Sequence, residues 1–174
     1  GIRDRDVTGV QTCASSDLDA SFDAVYAIES TEHMADKQRF FAEAFRTLKP
    51  GGRLAVYAWL SCPAPSPWQV RRLLEPICRE GRLAGMGTAA EYREMAEAAG
   101  FAWLADHDLS RQVARTWSIC IRRFLGKLAT DRSYLRFMFD RSQGERIFAV
   151  TVLRIVAAYR LGAMQYRLLV AQKQ

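Results

Sequence analysis

A chain of 174 residues, 49% apolar and 25% charged, is long enough for one globular domain and too apolar for wholesale disorder. The net charge of +6 is unevenly placed: residues 1–110 carry 12 Lys/Arg against 16 Asp/Glu, and residues 111–174 carry 13 against 3. No apolar run reaches the ~18 residues of a membrane span, no secretory leader is visible, and Cys13, Cys62, Cys78 and Cys120 are too scattered for a zinc site or a disulfide framework, as expected of a reducing, cytoplasmic setting.

Residues 1–18 have neither a 2- nor a 3.6-residue period and mix charges with Ser, Thr and Gly. They read as a non-native or disordered leader, and the run RDVTGVQTCA resembles a translated sequencing adapter. Phe22 to Ile28 is a short apolar, β-favouring run that predicts a buried strand. Glu29 to His33, ESTEH, follows it directly, so two carboxylates, two hydroxyls and a histidine stand at a strand's carboxyl end, where open α/β sheets bind ligands. Lys37 to Leu48 predicts an amphipathic helix with Phe41, Phe45 and Leu48 on one stripe, widened by Phe40 and Ala44, and with Asp36 as its N-cap. Pro50 forbids its continuation, Gly51 and Gly52 supply positive φ for a reversal, and Arg53 to Trp59 predicts a second buried strand. Strand, helix and strand then form a parallel βαβ unit.

Pro63, Pro65 and Pro67 stiffen the next crossing. Trp68 to Arg82 predicts a helix, with Pro76 expected to kink or break it. Gly85 to Gly87 follows a helix rather than a strand, so it is a loop and not a phosphate cradle. Thr88 and Glu91 form a capping box opening the helix Ala89 to Ala99. Gly100 ends it, and Phe101 to Leu109 is a strand. Residues 112–162 are mainly helical, with Val113, Trp117, Ile121, Phe124, Leu125 and Leu128 on one stripe and Gln143 to Leu161 as a second helix. Ala163 to Ala171 closes the chain as a strand. No repeat or low-complexity tract occurs.

The block FDAVYAIES, then ESTEHMADK, then LKPGGRLAVYAW resembles the second half of the class I S-adenosylmethionine-dependent methyltransferase domain. Within that family it is similar to the sterol and γ-tocopherol methyltransferases. The resemblance extends more weakly through Gly100 and Phe101 to the strand near Arg167, about four-fifths of the chain. It implies an α/β fold: the C-terminal part of a Rossmann-like sheet, about four strands, with a helical lid. The organisation expected is a leader at 1–18, the second half of the core at 19–110, and a lid with the final strand at 111–174. The family's first strand, glycine-rich G-x-G-x-G turn and acidic residue after the second strand find no counterpart, so the chain reads as a fragment impaired in cofactor binding. The exposed edge this leaves on the first strand predicts self-association.

The resemblance also implies site residues. Ala27, Ile28, Glu29 and Ser30 would border the methionine part of S-adenosyl-L-methionine. Glu29 and His33 would stand at the reaction centre as base or cation-stabilising groups. Trp59, Trp117 and Phe124 would contact the acceptor, a small hydrophobic molecule of the prenylated phenol, quinone or terpenoid type. Glu32 reads as an exposed loop carboxylate, Asp23 as ordering the strand entry, and His107 as a surface residue. Ala58 stands where sterol methyltransferases often carry an acidic residue. No metal and no nucleic-acid partner is expected. The basic C-terminal third suits peripheral membrane contact, or, as the alternative function, a non-catalytic interaction module that binds a lipid surface or an acidic partner. A nicotinamide-dependent oxidoreductase fits ESTEH and LKPGG less well.

Overall fold

A computed structural model describes residues 18–131 and 146–174. The predicted leader therefore lies outside the described residues except for Leu18. The elements are β1 (Phe22–Ile28), a 3₁₀ turn (Thr31–His33), α1 (Lys37–Thr47), β2 (Leu48–Ser61), a helical stretch α2 (67–80), α3 (Ala89–Ala98), β3 (Phe101–Asp108), α4 (Ser110–Thr130), α5 (Arg146–Arg160) and β4 (Met164–Lys173). The four strands form one sheet in the order β1-β2-β4-β3. β1 and β2 are parallel, with Val25 beside Leu54 and Ala27 beside Val56. β4 runs antiparallel to both its neighbours and lies between them. This is the mixed α/β architecture expected, with four strands.

Strand alternation divides the sheet into two unlike faces. Val25, Ala27, Leu54, Val56, Ala58, Leu60, Leu169 and Ala171 point to one side, where α1 and α3 cover them with Phe40, Phe41, Ala44, Tyr92 and Ala96. Phe41 meets Tyr92 edge-on, with ring centroids 5.9 Å apart at 88°, the arrangement the ring quadrupoles favour. The other face is covered mainly at its carboxyl end. There Met164 and Trp59 pack with Leu73, Leu74 and Ile77 of α2 and Ile155 and Ala158 of α5, and with Trp117 of α4. Towards β1 this face is open: Tyr26 is 71% exposed and Ile28 55%.

Local chemistry explains most boundaries. Asp36 accepts the Arg39 N–H at 2.9 Å and starts α1. The Thr88 hydroxyl accepts the Glu91 N–H while the Glu91 carboxylate accepts the Thr88 N–H, as the capping box requires. Two expectations are corrected. Of Gly51 and Gly52, Gly51 alone takes a positive φ, +80°. Gly52 is required for space, since a Cβ there would sit 2.9 Å from the Lys49 carbonyl oxygen and from Leu48 Cδ2. Pro76 does not break α2, which continues through it. The segment Val70–Leu74 adopts a π turn, with the Glu75 N–H reaching back to the Val70 carbonyl. Widening the helix just ahead of the proline accommodates the ring and the missing donor.

Candidate functional site

β1 delivers its chain end into a strained corner. The Glu29 N–H still pairs with the Tyr57 carbonyl at 2.9 Å, but its φ is +48°. A glutamate gains nothing from the left-handed region on its own account, so surrounding contacts impose this conformation. Glu29 is exposed, and its carboxylate lies near the Tyr166 hydroxyl, whose ionisation its charge opposes. Arg82 is also left-handed, at φ +53°, and its carbonyl lies 3.3 Å from His33 Nδ1. Glu29, Glu32, His33 and Trp59 then line one cavity of about 150 Å³, closed by Ile77, Gly81, Leu83, Thr151 and Ile155.

The remaining members of ESTEH build the floor. Glu32 is 1% exposed, not the surface carboxylate its loop position suggests. Its Oε1 accepts the Trp59 N–H at 3.3 Å, and its Oε2 accepts the Thr31 hydroxyl at 3.3 Å. Thr31 Oγ1 in turn accepts the Tyr92 hydroxyl at 2.9 Å. The Glu32 carbonyl also takes the N–H groups of Ala84 and Gly85. Burial pushes the Glu32 carboxyl above its usual range, against these hydrogen bonds. Burial also lowers Lys37, partly offset by the nearby Glu32 charge. The correction follows from the turn: the 3₁₀ geometry of Thr31–His33 swings Glu32 inward while His33 stays exposed.

Trp59 brings an aromatic side chain to the cavity, and further aromatics pack beside it. Trp59 and Trp117 meet edge-on with centroids 5.6 Å apart. Tyr166 stands beside Trp59 across the β2–β4 ladder. Burial and the nearby Glu29 charge raise the Tyr166 and Tyr159 hydroxyls well above their normal range. Among the described residues, Ser30 Oγ, Trp59 Nε1 and Tyr159 OH are buried side-chain atoms with no hydrogen-bond partner. Ala27 faces the core at 1% exposure, whereas Ile28 opens onto the uncovered face. Phe124 lies two turns beyond Trp117 along α4 and is half-buried. Asp23 pairs with Lys49 at 2.8 Å at the far end of β1, and His107 is exposed. Sequence reasoning missed Tyr92, Tyr159 and Tyr166. The signal for Tyr166 was its place near the start of the strand that inserts beside Trp59, but strand order is not readable from a period.

Comparison with known proteins agrees with this architecture. A family model described as a methyltransferase domain matches residues 7–56. The chloroplastic tocopherol O-methyltransferase of Arabidopsis thaliana is 29% identical over 164 residues, 89% of this chain and 44% of that protein. The 27-O-demethylrifamycin SV methyltransferase of Amycolatopsis mediterranei is 32% identical over 160 residues, 89% of this chain and 54% of that protein. Among solved structures, a sarcosine dimethylglycine methyltransferase from Galdieria sulphuraria superposes with a TM-score of 0.76 at 17% identity. That match covers 99% of this chain and 60% of the other, a likeness of fold. The chain thus spans about half the length of the curated relatives it matches. With its strand order and these matches taken together, the chain has the fold of the class I S-adenosylmethionine-dependent methyltransferases and is similar in sequence to methyltransferases over about nine-tenths of its length.

Proposed function

We propose that this chain forms the acceptor side of a methyl-transfer site whose acceptor is a small hydrophobic molecule. One observation carries the reading. The strained Glu29 corner opens onto a cavity, and buried polar atoms without partners, Ser30 Oγ and Trp59 Nε1, lie at that corner. A buried polar group left unpaired costs about 1–3 kcal/mol, so such groups at a strand's carboxyl end fit a bound molecule. Ser30 Oγ and the backbone of Ala27, Ile28 and Glu29 suit the methionine part of S-adenosyl-L-methionine. That cofactor, when bound, supplies an electrophilic methyl group on a sulfonium.

The chain's own residues do the rest. Trp59, Trp117 and Phe124 offer an apolar surface that excludes water from the acceptor. The Trp59 indole N–H is a free donor that can orient an acceptor oxygen. Glu29 is placed to take a proton from the acceptor or to steady positive charge, with the Tyr166 hydroxyl close by. His33, tied to the Arg82 carbonyl, frames the corner. The aromatic wall favours a prenylated phenol, quinone or terpenoid.

The test is titration with S-adenosylhomocysteine and, separately, with a prenylated phenol, followed by the tryptophan indole resonances in NMR. Saturable binding of the first that weakens in Ser30→Ala, and a shift of the Trp59 indole N–H with the second, support the reading. Indole resonances unmoved by every acceptor tried, or nucleoside binding indifferent to Ser30, overturn it.

A further inference from the structure

The basic side chains of the C-terminal third have no part in the site just described. α4 carries five basic residues, Arg111, Arg115, Arg122, Arg123 and Lys127, and no acidic one. α5, which packs against it, carries three basic residues and again no acidic one. Two helices built with cations alone repel themselves unless an external anion compensates. Among the described residues, the ion pair these helices make inside the fold is at Arg154, which meets Glu80 beside the Thr151 hydroxyl, while Arg111 at the start of α4 lies in the field of Asp108. Among the described residues, Arg115, Arg122, Arg123 and Lys127 have no ion-pair partner, and all four are exposed.

The same helices also expose large apolar side chains. Arg115, Ile119, Arg122 and Arg123 follow a spacing of i, i+4, i+7 and i+8, so they share the outer face of α4, opposite the stripe that carries Trp117. Ile119 stands among the three guanidinium groups and is 45% exposed. On α5, Val150 and Leu153 are 42% and 56% exposed. An anion of charge alone, such as a nucleic-acid backbone, satisfies the arginines and leaves these apolar groups in water. A surface with phosphates outside and hydrocarbon beneath satisfies both. No helix among the described residues is long and apolar enough to cross a membrane, so the contact is a lateral one.

We infer that the outer face of α4, with the exposed α5 stripe beside it, is a docking surface for an anionic lipid bilayer. The arginines hold the headgroup phosphates, and Ile119 and Leu153 enter the acyl boundary. This goes beyond the methyl-transfer reading and supplies a route by which a lipophilic acceptor reaches Trp117 on the opposite side of the same helix. Vesicle retention is measured with no methyl donor present, so either proposal can fail while the other stands.

The experiment is flotation of this chain with phosphatidylcholine vesicles, with and without about one-third phosphatidylglycerol. Binding to the anionic vesicles is expected to fall about 100-fold in R115Q/R122Q/R123Q, at roughly a factor of five per neutralised arginine. It is expected to persist in R115K/R122K/R123K, which keeps the charge. I119S/L153S is expected to lose about tenfold on vesicles and nothing on duplex DNA. Thermal melts of each variant verify folding, all these positions being exposed. Equal retention on neutral vesicles, indifference to the glutamine triple, or duplex DNA binding as tight as vesicle binding with no effect of I119S/L153S would each overturn the proposal.

Discussion

Glu29 concentrates the tension between stability and chemistry in one residue. Its backbone is left-handed without the glycine that would make this easy. Glu29→Gly is therefore expected to raise stability by about 1 kcal/mol, read as an increased urea midpoint, while abolishing methyl transfer in a full-length enzyme that carries this corner. Tyr166→Phe keeps the packing but removes the hydroxyl that lies near the Glu29 carboxylate. A loss of about 10- to 100-fold in turnover with an unchanged melting temperature is expected. Glu32 is a different case, because its carboxyl titrates above its ordinary value of 4.5 through burial. A raised acid favours the folded state in its protonated form, so this contribution is complete below pH 4.5 and is lost as pH rises through the higher folded value. The stability gap between wild type and Glu32→Gln should accordingly narrow or reverse on moving from acid to neutral pH. Glu32→Ala strands the Trp59 N–H and leaves a hole, at a cost of about 3 kcal/mol.

At the scale of elements, the two turn glycines separate two kinds of constraint. Gly51→Ala meets open space but pays for its φ of +80°, about 1 kcal/mol. Gly52→Ala drives a methyl against the Lys49 carbonyl and should cost more, about 2–3 kcal/mol by chemical denaturation. The sequence announced β1, α1, the Thr88 capping box and α3 clearly, because each rests on contacts within one turn or one strand. It announced ESTEH as a loaded corner for the same reason. It could not reveal that Glu32 turns inward, since that depends on Trp59, Thr31 and Tyr92 arriving from β2, the 3₁₀ turn and α3. Nor could it show Tyr166 beside Trp59, a neighbour 107 positions away in the β2–β4 ladder. Pro76 leaves the helix unbroken for a physical reason of its own: a π turn supplies the room that a regular helix lacks.

At the scale of the molecule, β1 presents an edge with no partner strand among the described residues, and Tyr26 and Ile28 stand exposed beside it. Such an edge pairs readily with another chain. Sedimentation velocity should show association that grows with concentration and recedes in Tyr26→Lys/Ile28→Lys. A single species insensitive to both would count against edge pairing. The sheet's assembly order follows from β4. β2 and β3 have no ladder in common until Met164–Lys173 lies between them. While a ribosome is still adding the residues before Met164, β3 can rest against α3 but cannot join the sheet. The nascent polypeptide thus leaves the exit tunnel with an interior strand still to come, and a premature stop anywhere in α5 would leave the β1–β2 pair and a lone β3 with nothing to bridge them.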